Sequence, residues 1–158
     1  MRSPGSTRAR PAIDSPERRR LPLLLRRAWY GLNRAFRRRI AHLGVTPDQF
    51  TVMRTLLEKA GITQRVLAME MSSDANTIAS LIDRMEAAGL VRRRPHERDR
   101  RAQRLDLTAQ GRRKYRAARS VAVVMQAEIL RALPSGAREK FLRSLAKVAD
   151  ACRRSSAR

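Results

Sequence analysis

The segment Thr63–Leu107 constrains this chain more than any other stretch. It reads TQRVLAMEMSSDANTIASLIDRMEAAGLVRRRPHERDRRAQRLDL and falls into three pieces. Thr63 stands where a helix cap would, and Leu67, Ala68 and Met71 give the short helix behind it an apolar side. Ser72, Ser73 and Asp74 then form a tight turn, and any of the three can cap the helix that follows. In that second helix Ile78, Leu81, Ile82 and Met85 recur at i, i+3, i+4 and i+7, the spacing of one buried face. By elimination Asn76, Thr77, Ser80 and Arg84 lie away from the core. Gly89 closes the helix. Leu90–Arg94 and Gln103–Leu107 have extended character, with Leu105 and Leu107 alternating with polar neighbours as in a half-exposed strand. The residues between them, Pro95-His96-Glu97-Arg98-Asp99-Arg100-Arg101-Ala102, are charged and have nothing apolar to pack. Short helix, tight turn, longer amphipathic helix and basic hairpin is the order of a winged helix-turn-helix, whose second helix suits the DNA major groove.

The flanks read as a helical frame. From Leu21 to Leu43 apolar residues at Leu25, Ala28, Trp29, Leu32, Phe36, Ile40 and Leu43 keep helical spacing, with arginines on the other faces. Gly44 ends this helix. Thr46-Pro47-Asp48-Gln49 opens the next with a capping box and a proline at its first position, and that helix stops before Gly61. Ile62 is placed to form a strand of one or two residues before Thr63. Thr108 caps a long helix bearing Ala118, Val121, Ala122, Met125, Ile129 and Leu133 on one stripe. Pro134-Ser135-Gly136 is expected to break it, and a last helix, about Ala137 to Cys152, carries Phe141, Leu142, Leu145 and Val148. The fold class is therefore mainly α with a small β-hairpin wing.

Charge narrows the partners. The chain has 36 Lys and Arg against 14 Asp and Glu, a formal net +22. Such an excess repels itself unless an anion screens it, and nucleic acid is the usual one. Residues 1–20 hold six Arg against Asp14 and Glu17, a net +4 that leaves +18 on the rest, so the basicity belongs to the folded part. That arm contains Pro4, Gly5, Pro11 and Pro16 with almost no apolar residues, and is expected to be disordered. Cys152 is the only cysteine, which excludes an intramolecular disulfide and makes a reducing, cytoplasmic setting the expectation. No apolar run approaches a membrane span or a signal segment, so no membrane partner is expected. His42 and His96 are the only histidines, and no metal-ligand cluster, phosphate-binding glycine loop or paired nucleophile and base is present. An enzyme, a metal site and a cofactor are all unsupported.

Five segments together resemble the MarR-type regulators (multiple antibiotic resistance regulator family). They are Gln49-Phe50, the opening Thr63-Gln64 with Leu67-Ala68, the run Asp83-Arg84-Met85-Glu86-Ala87-Ala88-Gly89-Leu90-Val91, Asp99-Arg100-Arg101, and Leu107-Thr108-Ala109-Gln110-Gly111. The likeness covers about Leu21 to Cys152. It implies a homodimer whose first, fifth and sixth helices interlock, and a cytoplasmic transcription factor, commonly a repressor. Such factors are often released by a small phenolic or other lipophilic effector, or by thiol oxidation. On this reading residues 1–20 are a basic arm, 21–45 a dimerisation helix, 46–108 the DNA-binding domain, 109–152 C-terminal dimerisation helices and 153–158 a basic tail. One departure stands out: the family often has Arg just after the Asp that opens the recognition helix and again about five residues on, where this chain has Ala75 and Ser80.

The candidate DNA-binding residues are Thr63, Gln64, Arg65, Ser73, Asn76, Thr77, Ser80, Arg84, Arg98, Asp99, Arg100 and Arg101. Free N–H groups at the start of a helix suit a phosphate near Thr63 and Gln64, with Arg65 on the same turn. Asn76 can bond adenine in bidentate fashion, and serine or threonine hydroxyls can bond bases or phosphates. Arg84 suits a phosphate as well as it suits Asp83, Glu86 or a wing residue. From the family's Asp-x-Arg pattern, Arg101 is assigned to the minor groove with Asp99 orienting it, and Arg98 and Arg100 to flanking phosphates. The family's effector site points to Trp29, Tyr30, Phe36, Phe50 and Met53, whose helical spacing is also that of an ordinary core. Two alternatives stay open: a sequence-tolerant architectural nucleic-acid-binding protein, favoured by the charge, and an interaction module, against which the basic wing speaks.

Overall fold

The computed structural model describes residues 20–95 and 103–156. Two compact units are distinguished, one up to Ala35 and one from Phe36 onward. Helix α1 (Arg20–Ile40) supplies all the described residues of the first and leads, through a 3-10 turn at Ala41–Leu43, into the second. Gly44 leaves that turn with φ 63°, in the left-handed region where a Cβ is costly.

Helix starts follow from polar caps. At α2 (Pro47–Glu58) the Thr46 hydroxyl accepts from the Gln49 N–H at 3.2 Å, and Gln49 Oε1 accepts from the Thr46 N–H at 3.0 Å. This is the expected capping box, with Pro47 supplying the one residue that has no N–H to satisfy. Thr63 caps α3 (Gln64–Glu70), accepting from the Val66 N–H at 3.4 Å. Of the three candidates in the next turn, Asp74 caps α4 (Ala75–Ala87). Ser72 takes φ 50° and so makes the left-handed bend that brings α4 back across α3. Thr108 caps α5 (Ala109–Leu130), accepting from the Gly111 N–H at 3.0 Å.

Strands β1 (Val91–Pro95) and β2 (Gln103–Leu107) pair antiparallel, from Val91 opposite Leu107 to Pro95 opposite Gln103. Thr63 bridges to Arg104, and the Leu105 N–H donates to the Ile62 carbonyl at 2.9 Å. The segment before α3 therefore docks on β2 through an isolated bridge, which falls at Thr63 rather than at Ile62, the position expected for a strand. The expected first strand began one residue earlier, at Leu90, whose N–H instead caps the end of α4 by bonding the Met85 carbonyl.

Ile78, Leu81, Ile82 and Met85 are all buried, with Met53, Leu67, Val91 and Leu105 in the same core. Burying one such side chain contributes about 1.5–3 kcal/mol. Turning α4 about its axis would forfeit all four, so its opposite face is committed to solvent. The join to α5 is equally constrained. A Cβ on Gly111 would lie 2.1 Å from the Leu90 carbonyl oxygen, which no side chain tolerates. Thr108 completes this corner by donating its hydroxyl to the Gly89 carbonyl at 2.6 Å and its N–H to that of Leu90 at 3.1 Å.

The C-terminal break differs from expectation. α5 ends at Leu130, and residues Arg131–Pro134 turn the chain. α6 spans Ser135–Ser156, so Ser135 and Gly136 belong to its first turn. Proline, serine and glycine are tolerated there because the first N–H groups of a helix lack intrahelical partners anyway. Among the described residues no helix is long and apolar enough to cross a membrane.

Candidate nucleic-acid interface

Asn76, Thr77, Ser80 and Arg84 are all exposed, on the side of α4 away from the buried stripe. Asp74 sets the first turn. One carboxylate oxygen accepts from the Thr77 N–H at 2.8 Å and the other from the Thr77 hydroxyl at 2.6 Å. The Thr77 side-chain hydrogen bond, with the backbone bonds behind it, holds the Asp74 carboxyl below the usual carboxylate range. With its hydroxyl hydrogen engaged by Asp74, the exposed Thr77 oxygen has only acceptor capacity left.

α3 contributes less directly. The Thr63 hydroxyl is used as the helix cap, Gln64 is half-buried, and Arg65 is exposed. Ser73, half-buried, lies in the turn, where its N–H bonds the Ala68 carbonyl at 3.0 Å. Arg84 makes no ion pair among the described residues, and the carboxylates that flank it are occupied by another arginine. Arg98, Asp99, Arg100 and Arg101 lie outside the described residues.

That other arginine is Arg93, which the sequence reading missed. Its guanidinium bonds Asp83 at 2.6 Å, Glu86, and Gln64 at 3.4 Å. A signal was available: β1 alternates inward and outward from the buried Val91, which turns Arg93 inward. An inward arginine needs carboxylates, and Asp83 and Glu86 stand one turn apart on the helix just before it. Arg92 and Arg94 face outward on the same strand, Arg94 loosely paired with Asp106 at 3.7 Å. The exposed α4 face thus stands beside a strand that presents further cations. This surface suits an anionic duplex: neutral hydrogen-bonding groups on a helix, flanked by arginines.

Comparison with known proteins decides the family. A family model described as MarR family matches residues 45–102. Transcriptional regulator HosA of Escherichia coli O111:H- is 34% identical over 107 residues, covering 68% of this chain and 79% of HosA. The chain belongs to the MarR family. MarR-family proteins are DNA-binding transcriptional regulators, not enzymes, and this chain is a transcriptional regulator of that type. Solved structures agree in fold. Transcriptional repressor CouR, bound to a 23-mer DNA duplex, has a TM-score of 0.77 at 26% identity, covering 89% of this chain and 99% of CouR. The Mycobacterium tuberculosis regulator MOSR in complex with DNA has a TM-score of 0.68 at 27% identity, covering 84% of this chain and 98% of that one.

The residues suggested by the MarR effector site have varied surroundings. Phe36 is buried and meets the Phe50 ring edge-on at 5.0 Å, and Phe50 stacks on Tyr115 at 5.3 Å. Met53 is fully buried in the core. Trp29 and Tyr30 are exposed on α1, with the Arg26 guanidinium 5.0 Å from the Tyr30 ring centre. Among the described residues no group of three or more His, Cys, Asp and Glu side chains is arranged to hold a metal ion.

Proposed function

We propose that this regulator is a homodimeric repressor that binds an inverted-repeat operator in double-stranded DNA, one half-site per winged module. The observation that carries the reading is the exposed Asn76, Thr77, Ser80 and Arg84 face of α4, held outward by four buried side chains on its other side. CouR, solved on a DNA duplex and similar over 89% of this chain, supports the same use of the fold. Asn76 and Thr77 read base edges, with Thr77 accepting from an amino group. Arg65, Arg84 and the hairpin arginines Arg98 and Arg100 neutralise phosphates, and Arg101, oriented by Asp99, enters the minor groove. Thr63, Gln64 and Ser73 hold the approach of α3 to the backbone.

Two-fold symmetry sets the spacing of the target, with half-sites roughly 10 bp apart, one turn of the duplex. Selection of the full chain against random duplex DNA tests this. An enriched palindrome of that spacing is expected. Recovery of no preferred sequence would favour sequence-tolerant, architectural binding, which the +22 charge and the absence of arginine at Ala75 and Ser80 make the second reading. Release by a small lipophilic or phenolic effector is part of the proposal, with the Phe36, Phe50 and Tyr115 rings as the aromatic wall it would meet. Loss of operator binding on titration with an aromatic acid, and its blunting by Phe50→Ala, is the corresponding check.

A further inference from the structure

We infer that Arg93 is a positioning residue that orients the hairpin against α4 for DNA engagement, rather than one of the arginines that meets phosphate. The inference rests on the proposed use of α4 and the hairpin in DNA binding. Arg92, Arg93 and Arg94 are consecutive, yet only Arg93 turns inward, where its side chain keeps 23% of its exposure. Asp83 and Glu86 are three residues apart, so one guanidinium spans a turn of α4. Glu86 grips Arg93 a second time, accepting its backbone N–H at 3.1 Å. That bond fixes the strand itself, independent of side-chain flexibility. Gln64, at 3.4 Å, adds α3 to the same cation. Three elements of the module therefore converge on one residue.

Charge makes the same distinction. Burial works against the Arg93 cation, but the hydrogen bonds it donates to Asp83 and Glu86 outweigh it and hold the guanidinium charged. Two carboxylates on one arginine leave the cluster with a net negative charge, so a DNA phosphate approaching Arg93 would meet two anions. In a chain with 14 acidic residues in all, placing two of them beside the recognition surface is a cost to bulk DNA attraction. Fixing the angle between strand and helix offsets it.

The test uses the full chain and its selected operator, with affinities for operator and for an unrelated duplex measured over a series of salt concentrations. Arg93→Met, which keeps length without charge, should lose about tenfold in operator affinity, the scale of one charge-assisted hydrogen bond. Normalised to the folded fraction, its operator-to-unrelated ratio should fall, which a role in stability alone would not produce. Its slope of log affinity against log salt should match wild type. A slope shallower by about 1 per subunit would mean a phosphate contact and would overturn the inference. Asp83→Asn with Glu86→Gln is nearly isosteric and guards against a misfolded Arg93→Met. It makes each subunit more positive, so a bulk-charge effect gives tighter binding and positioning gives weaker operator binding; the tighter result overturns the inference. Asn76→Ala and Arg101→Ala are measured alongside. If both weaken binding while Arg93→Met does not, the inference alone fails. If neither does, the use of α4 and the hairpin fails and takes the inference with it.

Discussion

Asp74 links backbone and side chain at the first turn of α4, and its titration should show in the pH dependence of stability. Its carboxyl is held below the usual range in the folded chain by the Thr77 hydroxyl and N–H. A carboxylate with a depressed folded-state pKa contributes stability that is fully present above its unfolded value and lost as pH falls through the folded one. Asp74→Asn keeps a capping oxygen but not the charge. Wild type should therefore melt higher than Asp74→Asn at neutral pH, and the gap should close in acid, below the ordinary carboxylate range. Melting curves of both across pH check this, and a gap that persists undiminished in strong acid would remove the charge from the explanation. Gly111 gives a second prediction at this scale. With the Leu90 carbonyl 2.1 Å from the place of its Cβ, Gly111→Ala must move backbone and should cost about 1–3 kcal/mol, read by denaturant unfolding.

Among the elements, those with local causes were legible in sequence. Thr46-Pro47-Asp48-Gln49 announces α2 because both capping bonds join residues three apart. The apolar stripe of α4 announces its buried face because helical period and burial coincide. Features that depend on turn geometry or distant partners were harder to read. Ser72, Ser73 and Asp74 are equivalent caps until the left-handed Ser72 leaves Asp74 at the helix start. Pro134-Ser135-Gly136 reads as a break, yet a first helical turn accepts the same residues. The Arg93 cluster joins residues 7, 10 and 29 apart, so it exists only once α3, α4 and β1 are assembled. The hairpin carries its own prediction. Arg101→Ala should weaken operator binding by about 1–3 kcal/mol per subunit. Asp99→Ala raises the net charge, so simple attraction predicts tighter binding and an orienting role predicts weaker. Titration of both against operator at one salt concentration separates the two, and tighter binding by Asp99→Ala would discard the orienting role.

At the scale of the whole molecule, α1, α5 and α6 each leave large apolar side chains exposed, Trp29 at 58%, Val124 at 56% and Phe141 at 43%. Apolar side chains of this size left exposed are what a second copy of the chain would cover, which is the basis for predicting a dimer. Trp29 is the only tryptophan, so its emission reports on α1 alone. Dilution should shift that emission to longer wavelength as light scattering falls from dimer to monomer mass. Constant emission with a monomer mass throughout would refute the dimer. The corner at Gly89, Leu90, Thr108 and Gly111 bears on how such a dimer would work. Were those bonds and the close approach at Gly111 to hold it rigid, α4 and α5 would act as two arms of a bell crank with that corner as fulcrum. At 1.5 Å per residue the arms are roughly 20 Å and 33 Å long. A swing of about 5° imposed on α5 would carry the far end of α4 through on the order of 2 Å, more than a hydrogen bond to a base edge can absorb.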